Sequence, residues 1–480
     1  RCIIQTIPRP PDTALGSLDF RLAGTARQFI DSYNRELDLL LQDSPHIILD
    51  TAGLAETVGL GAWHDPVYWN LAKLPFAQPL IPLFADHVCR VLAALRGRSR
   101  RCLILDLDNT LWGGAVGDVG VDGIELGQGS AAGEAHLDVQ KTALRLRELG
   151  IVLAVCSKND PDVAKQPFER QTEMLLTLDD ISVFRANGTD KASSIQDIAD
   201  TLDLGLQSMV LLDDNPAERG FVRGALPDVA VPELPLDPAL FSRTLLAAGY
   251  FESVALTQED RARADAYTGN ARRVEIRRQA PDVDSYLKDL DMVMSLAPFQ
   301  EIDRARLVQL INKTNQFNLT TRRYSETDVR AMFDDPALCT VQARLRDRFG
   351  DNGLISIVIC RKDGADWDID TWLMSCRVLG RKVEEAILQD VVRQARNEGA
   401  RALVGHYIPT KRNGLVKDHY AKLGFKKIDE SDDGATDWRL ELEDVADVAL
   451  PFEIEREGPG GSTSSRPEGL ANASRTGTEL

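Results

Sequence analysis

The chain has 480 residues, 43% apolar and 27% charged, with a formal net charge of −18. That length suits two or three domains rather than one core, and no apolar run approaches the roughly 20 residues of a membrane span. The acidic balance excludes a general nucleic-acid binder, which needs a basic face to neutralise phosphates.

Residues 1–98 mix short apolar runs with proline turns, ending in the helical pattern IPLFADHVCRVLAAL and the basic break RGRSRR (96–101). From 102 to about 230, strand-like runs (CLILD, IVLAVCS, SMVLLDD) alternate with helix-like ones (HLDVQKTALRLRELG, SSIQDIADTLDLG), which predicts a parallel sheet with helices on its faces. The proline-punctuated VAVPELPLDPALF (229–241) is expected to be a linker. From about 250 to 445 the pattern predicts helices, then hairpin strands around the turn signal FGDNG (349–353), then a second α/β unit. The Gly/Ser/Pro-rich tail 457–480 is expected to be disordered. Basic clusters at 271–278 and 321–323 are expected to be solvated helix faces, with local docking surfaces as the alternative. Seven cysteines (Cys2, Cys89, Cys102, Cys156, Cys339, Cys360, Cys376) show no zinc-ligand spacing, so free thiols in a reducing, cytoplasmic setting are expected. The start at Arg1, with no signal-peptide pattern after it, suggests a trimmed or partial chain.

LILDLDNTLWGG (103–114) places Asp106 and Asp108 where a buried strand runs out, and strand carboxyl ends form the ligand crevice of open α/β sheets. Two further strands end in polar residues, at Ser157 and at Asp213–Asp214, while Lys191 precedes a helix and offers positive charge. Clustered carboxylates are costly unless a cation neutralises them, and Mg²⁺ is the expected one. The set Asp106–Asp108–Thr110, Ser157, Lys191 and Asp213–Asp214 resembles the four motifs of the haloacid dehalogenase superfamily of phosphotransferases. The resemblance implies Asp106 as nucleophile, Asp108 as general acid and base, and Ser157 and Lys191 holding phosphoryl oxygens. It implies Thr110 and Asn159 on the substrate side. The metal would be held among Asp106, Asp108, Asp213 and Asp214, with Asp214 preferred over Asp213 for direct contact and the other paired to Lys191. The short glycine-rich stretch after Thr110 predicts a small flap rather than a large cap.

Farther on, WLMSCRVLGRKVEEA (372–386) reads as a strand, a glycine turn and a helix start, an arrangement suited to binding an anion. Arg377, Gly380 and Arg381 resemble the pyrophosphate-binding loop of the GNAT acyltransferase fold, and VKDHYAKLGF (416–425) resembles its closing helix and strand. Cys376 could be a core thiol, as free cysteines usually are. A thiolate stabilised by the helix start and Arg377 is the other reading.

The two units together, with NKTNQFNLTTRRY (312–324), DRFGDNG (347–353), SCRVLGR (375–381) and GHYIPTKRN (405–413), resemble the FkbH-like glyceryl transferase/phosphatases of polyketide assembly. That resemblance implies 1,3-bisphosphoglycerate as donor, glyceryl carried as a thioester on Cys376, hydrolysis of the 3-phosphate at Asp106, and delivery to the phosphopantetheine thiol of an acyl carrier protein. The loop at Gly380–Arg381 would hold the pantetheine phosphate. His406, His419 and Tyr420 would be candidate proton carriers, His419 foremost and Tyr420 also at the substrate, with structural roles as the alternative. Asn315, Gln316 and Arg322 would meet glyceryl hydroxyls or phosphate. The family's tryptophan before the motif lysine is absent here, where Asn187–Gly188 stand.

The expected architecture is therefore α/β. Residues 1–98 form a partial SGNH-hydrolase-like scaffold without its serine, 99–245 a Rossmannoid phosphatase domain, and 250–446 a GNAT-like α+β domain. Alternatives are a simple Mg²⁺-dependent phosphatase with an inert second domain, an enzyme loading lactyl, and a non-catalytic carrier-protein adaptor.

Overall fold

The computed structural model describes residues 2–42, 44–256, 258–375, 378–446 and 448–456. Two compact units divide at Arg272/Arg273, inside the helix Arg263–Gln279. Cys376, Arg377 and the tail 457–480 lie outside the described residues. Among the described residues no helix is long and apolar enough to cross a membrane, and six cysteines are free, four of them buried.

The first unit holds a four-stranded parallel sheet in the order Val183–Ala186, Val152–Ser157, Cys102–Leu105, Met209–Leu212. Alternate side chains of each strand enter the layers on opposite faces: Leu103 and Leu105 join Val139, Ala143 and Leu146 on one, and Cys102 and Ile104 join Ile195, Ile198 and Leu202 on the other. Three of these strands coincide with the expected runs. The fourth, Val183–Ala186, has no clear sequence signal because Arg185 interrupts its short apolar run. Ser130 caps the helix Ala131–Glu148 by accepting from the Gly133 amide, so that helix begins five residues before its apolar pattern. The expected linker packs along the sheet, with Ala230 bonded to Met209 and Leu211. In the amino-terminal region Ile3–Gln5 pairs in parallel with Ile47–Leu49. There Asp65 caps the helix Pro66–Ala72 and His64 Nε2 meets the Arg9 carbonyl at 3.0 Å, which gives both polar residues structural work.

The second unit is built on an eight-stranded sheet, in the order Lys426–Glu430, Thr436–Glu441, Ala402–Tyr407, Asp366–Met374, Gly350–Asp363, Leu338–Asp347, Val293–Ala297, Glu453–Arg456. Its neighbours are antiparallel except for Asp366–Met374 beside Ala402–Tyr407 and Glu453–Arg456 beside Val293–Ala297. The helix Val383–Asn397 packs on one face, giving an α+β architecture. The hairpin turns at Arg348–Phe349, and DNG falls within the second strand, where the register slips; a bulge takes up the flexibility that the motif promised for the turn.

The parallel pair is hydrogen-bonded only from Asp366 to Ile369. Beyond it the strands part, and the chain's own Phe317–Leu319 fills the wedge. Leu319 N donates to Trp372 O at 3.2 Å, Met374 N to Phe317 O at 3.0 Å, and on the other side Ile408 N donates to Leu319 O at 2.9 Å.

Candidate active site

Asp106, Asp108, Ser157, Asp213 and Asp214 arrive together because their strands run parallel and end on one edge. Asp106, Asp213 and Asp214 each place a carboxylate oxygen within 4.8 Å of the others. Lys191, at the start of the helix Lys191–Leu202, is buried among acids: its Nζ lies 2.9 Å from Asp106, 2.9 Å from Glu218, and also bonds Asp213. Burial works against the ammonium, but Asp106 and Asp213 overcome it and hold it above the ordinary lysine range. Burial pushes Asp106 up, opposed by Lys191 and reinforced by Asp213; burial and Asp213 likewise push Asp214 up. The cluster is thus short of positive charge. A divalent cation among three carboxylate oxygens fits the deficit.

Asp108 departs from its expected place among the metal ligands, since its carboxylate is not in that group. The tight turn through Asn109, at φ +56°, aims it toward the flap, where Oδ1 accepts from Trp112 Nε1 at 2.9 Å and Val116 N at 3.1 Å, and Oδ2 accepts from Asn159 Nδ2 at 2.9 Å. Thr110 is buried and braces two strand ends, its Oγ1 accepting from Asp214 N at 3.2 Å; it does not line the cleft. The cleft, about 200 Å³, is lined by Asp106, Asp108, Ser157, Asn159, Lys191 and Asp214, with Lys158 and Glu218 on its rim. Glu218 and Lys158 carry no motif signal. Glu218 sits in the first turn of the helix Pro216–Ala225, which Asn215 caps, and burial there is outweighed by Lys158 and Lys191, leaving its carboxyl low. At Gly188 an added Cβ would meet nothing within 4 Å, so Lys191 is held by carboxylates without help from the missing tryptophan.

In the second unit, Phe317 forms part of two clefts. One, about 760 Å³, is lined by Arg306, Asn315, Gln316, Ser375, Lys411 and Arg412. The other, about 350 Å³, includes Gly380, Lys382, Glu384, Lys422 and His419. His419 is buried edge-on to Trp372 and Phe317, and its Nε2 has no hydrogen-bond partner among the described residues. Burial, aided by Lys422, lowers its pKa to about 3. It can hydrogen-bond a ligand but is a poor proton carrier at neutral pH.

Several expected ligand contacts are spent inside the protein. Arg381 is buried with Nη1 3.1 Å from Asp347, which Arg273 also grips. Arg322 pairs with the buried Asp370, as Arg361 does; neither basic cluster is a simple solvated face. Tyr420 belongs to the core, packed on Phe425 and so close to Gly405 that a Cβ there would lie 2.3 Å from its ring. His406 bonds Asp368 and Asp437, both at 2.7 Å, and ties three strands together. Cys376 and Arg377, outside the described residues, receive no placement.

No family model and no curated protein matches the chain. Among solved structures it is similar to the N-terminal part of BF1531 from Bacteroides fragilis, which contains a phosphatase domain and was crystallised with Mg. The identity is 39%, over 53% of this chain and 68% of that one, with a TM-score of 0.52. Two fainter likenesses are the GNAT domain of S. lividans PAT (18% identity, 30% of this chain, 89% of that one, TM-score 0.25) and the Escherichia coli ribosomal-protein-S18-alanine N-acetyltransferase (13%, 31%, 94%, 0.24). Neither carries weight at such scores. Parallel sheet, flap and acidic strand ends define a phosphatase of the haloacid dehalogenase class. At 39% identity over two thirds of the BF1531 fragment, the chain belongs to that family through its first unit.

Proposed function

We propose that the chain is a bifunctional glyceryl transferase and phosphatase of the FkbH-like kind, taking glyceryl from 1,3-bisphosphoglycerate and loading it onto an acyl carrier protein. The observation that carries the reading is the cluster of Asp106, Asp213 and Asp214 around buried Lys191, open to a small cleft beside Asp108. Those three carboxylates would hold Mg²⁺, the ion of the Bacteroides fragilis structure, which when bound offsets charge on the phosphoryl group.

Asp106 would attack phosphorus, forming an acyl phosphate as the ester P–O bond breaks. Asp108 would give its proton to the departing alkoxide, then take one from the water that cleaves the aspartyl phosphate. Asn159 and Trp112 keep it aimed while this happens. In the second unit the Cys376 thiolate would attack the acyl carbon of the donor, forming a C–S bond as the C–O bond to phosphate breaks and inorganic phosphate leaves. A pantetheine thiolate would then displace Cys376 from the thioester. No ATP is needed, because the acyl phosphate is already activated. The cleft at Gly380 and His419 has room for the pantetheine arm.

One observation favours a plain phosphatase with an inert second unit: Arg381 is committed to Asp347 instead of to a ligand. Incubation of the Mg²⁺-loaded protein with 1,3-bisphosphoglycerate, followed by intact-mass measurement, separates the readings. The proposal expects an acyl adduct that Cys376→Ser removes. Phosphate release without any adduct on the wild type supports the plain phosphatase.

A further inference from the structure

The larger cleft of the second unit has a composition at odds with the chain. Among the described residues its lining contains three cations, Arg306, Lys411 and Arg412, and no carboxylate, although the protein has 74 acidic residues against 56 basic ones. Nearby, Arg323 is spent on Asn315 and on the Ile311 and Thr314 carbonyls, and Arg322 on the buried Asp370. By contrast, the side chains of Lys411 and Arg412 make no ion pair or hydrogen bond among the described residues. Unpaired charges of one sign in a concave site focus potential on an oppositely charged ligand.

Their placement is built rather than incidental. The loop that bears them is tied down by Asn413, which is fully buried. Its Oδ1 accepts from Thr410 N at 2.7 Å, and its Nδ2 donates to Ile408 O at 2.9 Å and to Asn318 O at 3.0 Å. Asn318 belongs to the segment that fills the wedge, so one side chain sets the spacing between Lys411–Arg412 and the facing Asn315–Gln316. On that wall Asn315 Oδ1 accepts from Arg323 Nη2 at 2.5 Å. Carboxamides and the neighbouring Ser375 supply neutral hydrogen-bonding groups beside the cations. Guanidinium and ammonium groups with such neighbours suit a phosphate on a small hydroxylated molecule, and a volume of about 760 Å³ accommodates one.

We propose that this cleft binds the phosphate end of a phosphorylated hydroxy-acid donor, with Lys411 and Arg412 as its phosphate grips. Resting on the transferase reading above, this gives the order of events: the acyl group enters the second unit with its phosphate still attached, and dephosphorylation follows. The other cleft beside Phe317 is left for the thiol-bearing acceptor.

The test is calorimetric titration of the full-length, Mg²⁺-loaded chain carrying Asp106→Asn, which prevents turnover, with 3-phosphoglycerate, glycerate and 4′-phosphopantetheine in turn. The same titrations follow with Lys411→Gln/Arg412→Gln added, and with Lys411→Arg as the conservative variant. The expected result is at least a tenfold loss of 3-phosphoglycerate affinity at one site in the double variant and retention in Lys411→Arg. Glycerate should bind at least tenfold more weakly than 3-phosphoglycerate where Lys411 and Arg412 are intact, the gap should close in the double variant, and phosphopantetheine binding should not change. Unchanged 3-phosphoglycerate binding in a double variant with unaltered circular dichroism and melting overturns the proposal. So does loss of phosphopantetheine binding instead. If 3-phosphoglycerate binding depends on the pair but the wild type never forms an acyl adduct, the cleft stands and the transferase reading falls.

Discussion

At the scale of single residues, the phosphatase cleft turns on one lysine. Lys191 is buried against Asp106, Asp213 and Glu218, and breaking a buried ionic network by removing one partner is far costlier than the network's net worth. Lys191→Met should therefore destabilise the protein by about 3–5 kcal/mol, measured by urea unfolding in EDTA, and saturating Mg²⁺ should restore part of the loss. A variant as stable as the wild type in EDTA would mean that the acids are not ionised together. Asp106 and Asp108 were legible in the sequence because they follow an apolar run, where the fold puts its ligand edge, and Lys191 because it opens a helix pattern. Glu218 was not legible, since nothing local marks a glutamate one helical turn past the motif. Arg322, Arg381 and Tyr420 were assigned to ligands through resemblance of short motifs. Their real partners, Asp370, Asp347 and the Gly405–Phe425 surface, are set by tertiary packing.

At the scale of elements, the second sheet is stitched by ionic ladders across its strands. His406 lies between Asp368 and Asp437 on the adjacent strands, and their hydrogen bonds, against the cost of burial, raise its pKa from 6.5 to about 9. A histidine whose folded pKa is raised binds its proton more tightly in the folded state. Its stabilisation is full below pH 6.5 and fades as pH rises through about 9. The melting-temperature gap between wild type and His406→Gln should be constant in mild acid and narrow steadily between these limits. A gap that widens with pH would rule out the charged form. Of the strands flanking His406, Asp366–Met374 follows from alternation in the sequence, and Thr436–Glu441 carries no such reading. The wedge-filling segment Phe317–Leu319 has none either, because asparagine-rich, polar surroundings carry neither period. It bridges there, through Asn318 opposite Leu373, because two diverging strands leave unpaired backbone for it to satisfy.

At the scale of the whole molecule, two units of different architecture carry complementary sites. The first gathers acids around a lysine to handle phosphate with a metal. The second offers a cationic cleft and one of mixed charge that contains His419, both lined in part by Phe317. Alternation of strands and helices made the first architecture evident from the sequence, and the glycine turn before an amphipathic helix pointed to the second. The division near Arg272 could not be read from composition, because it falls within a continuous helix rather than in a proline- or glycine-rich linker.

The central claim is that both units act on one substrate, acylation first and dephosphorylation second. Intact-mass measurement of the full-length Asp106→Asn protein, Mg²⁺-loaded and exposed to 1,3-bisphosphoglycerate, tests it most directly. The account predicts accumulation of a phosphoglyceryl adduct that maps to Cys376 and is absent in Asp106→Asn/Cys376→Ser. Unmodified enzyme, or an adduct lacking the phosphate, would contradict it.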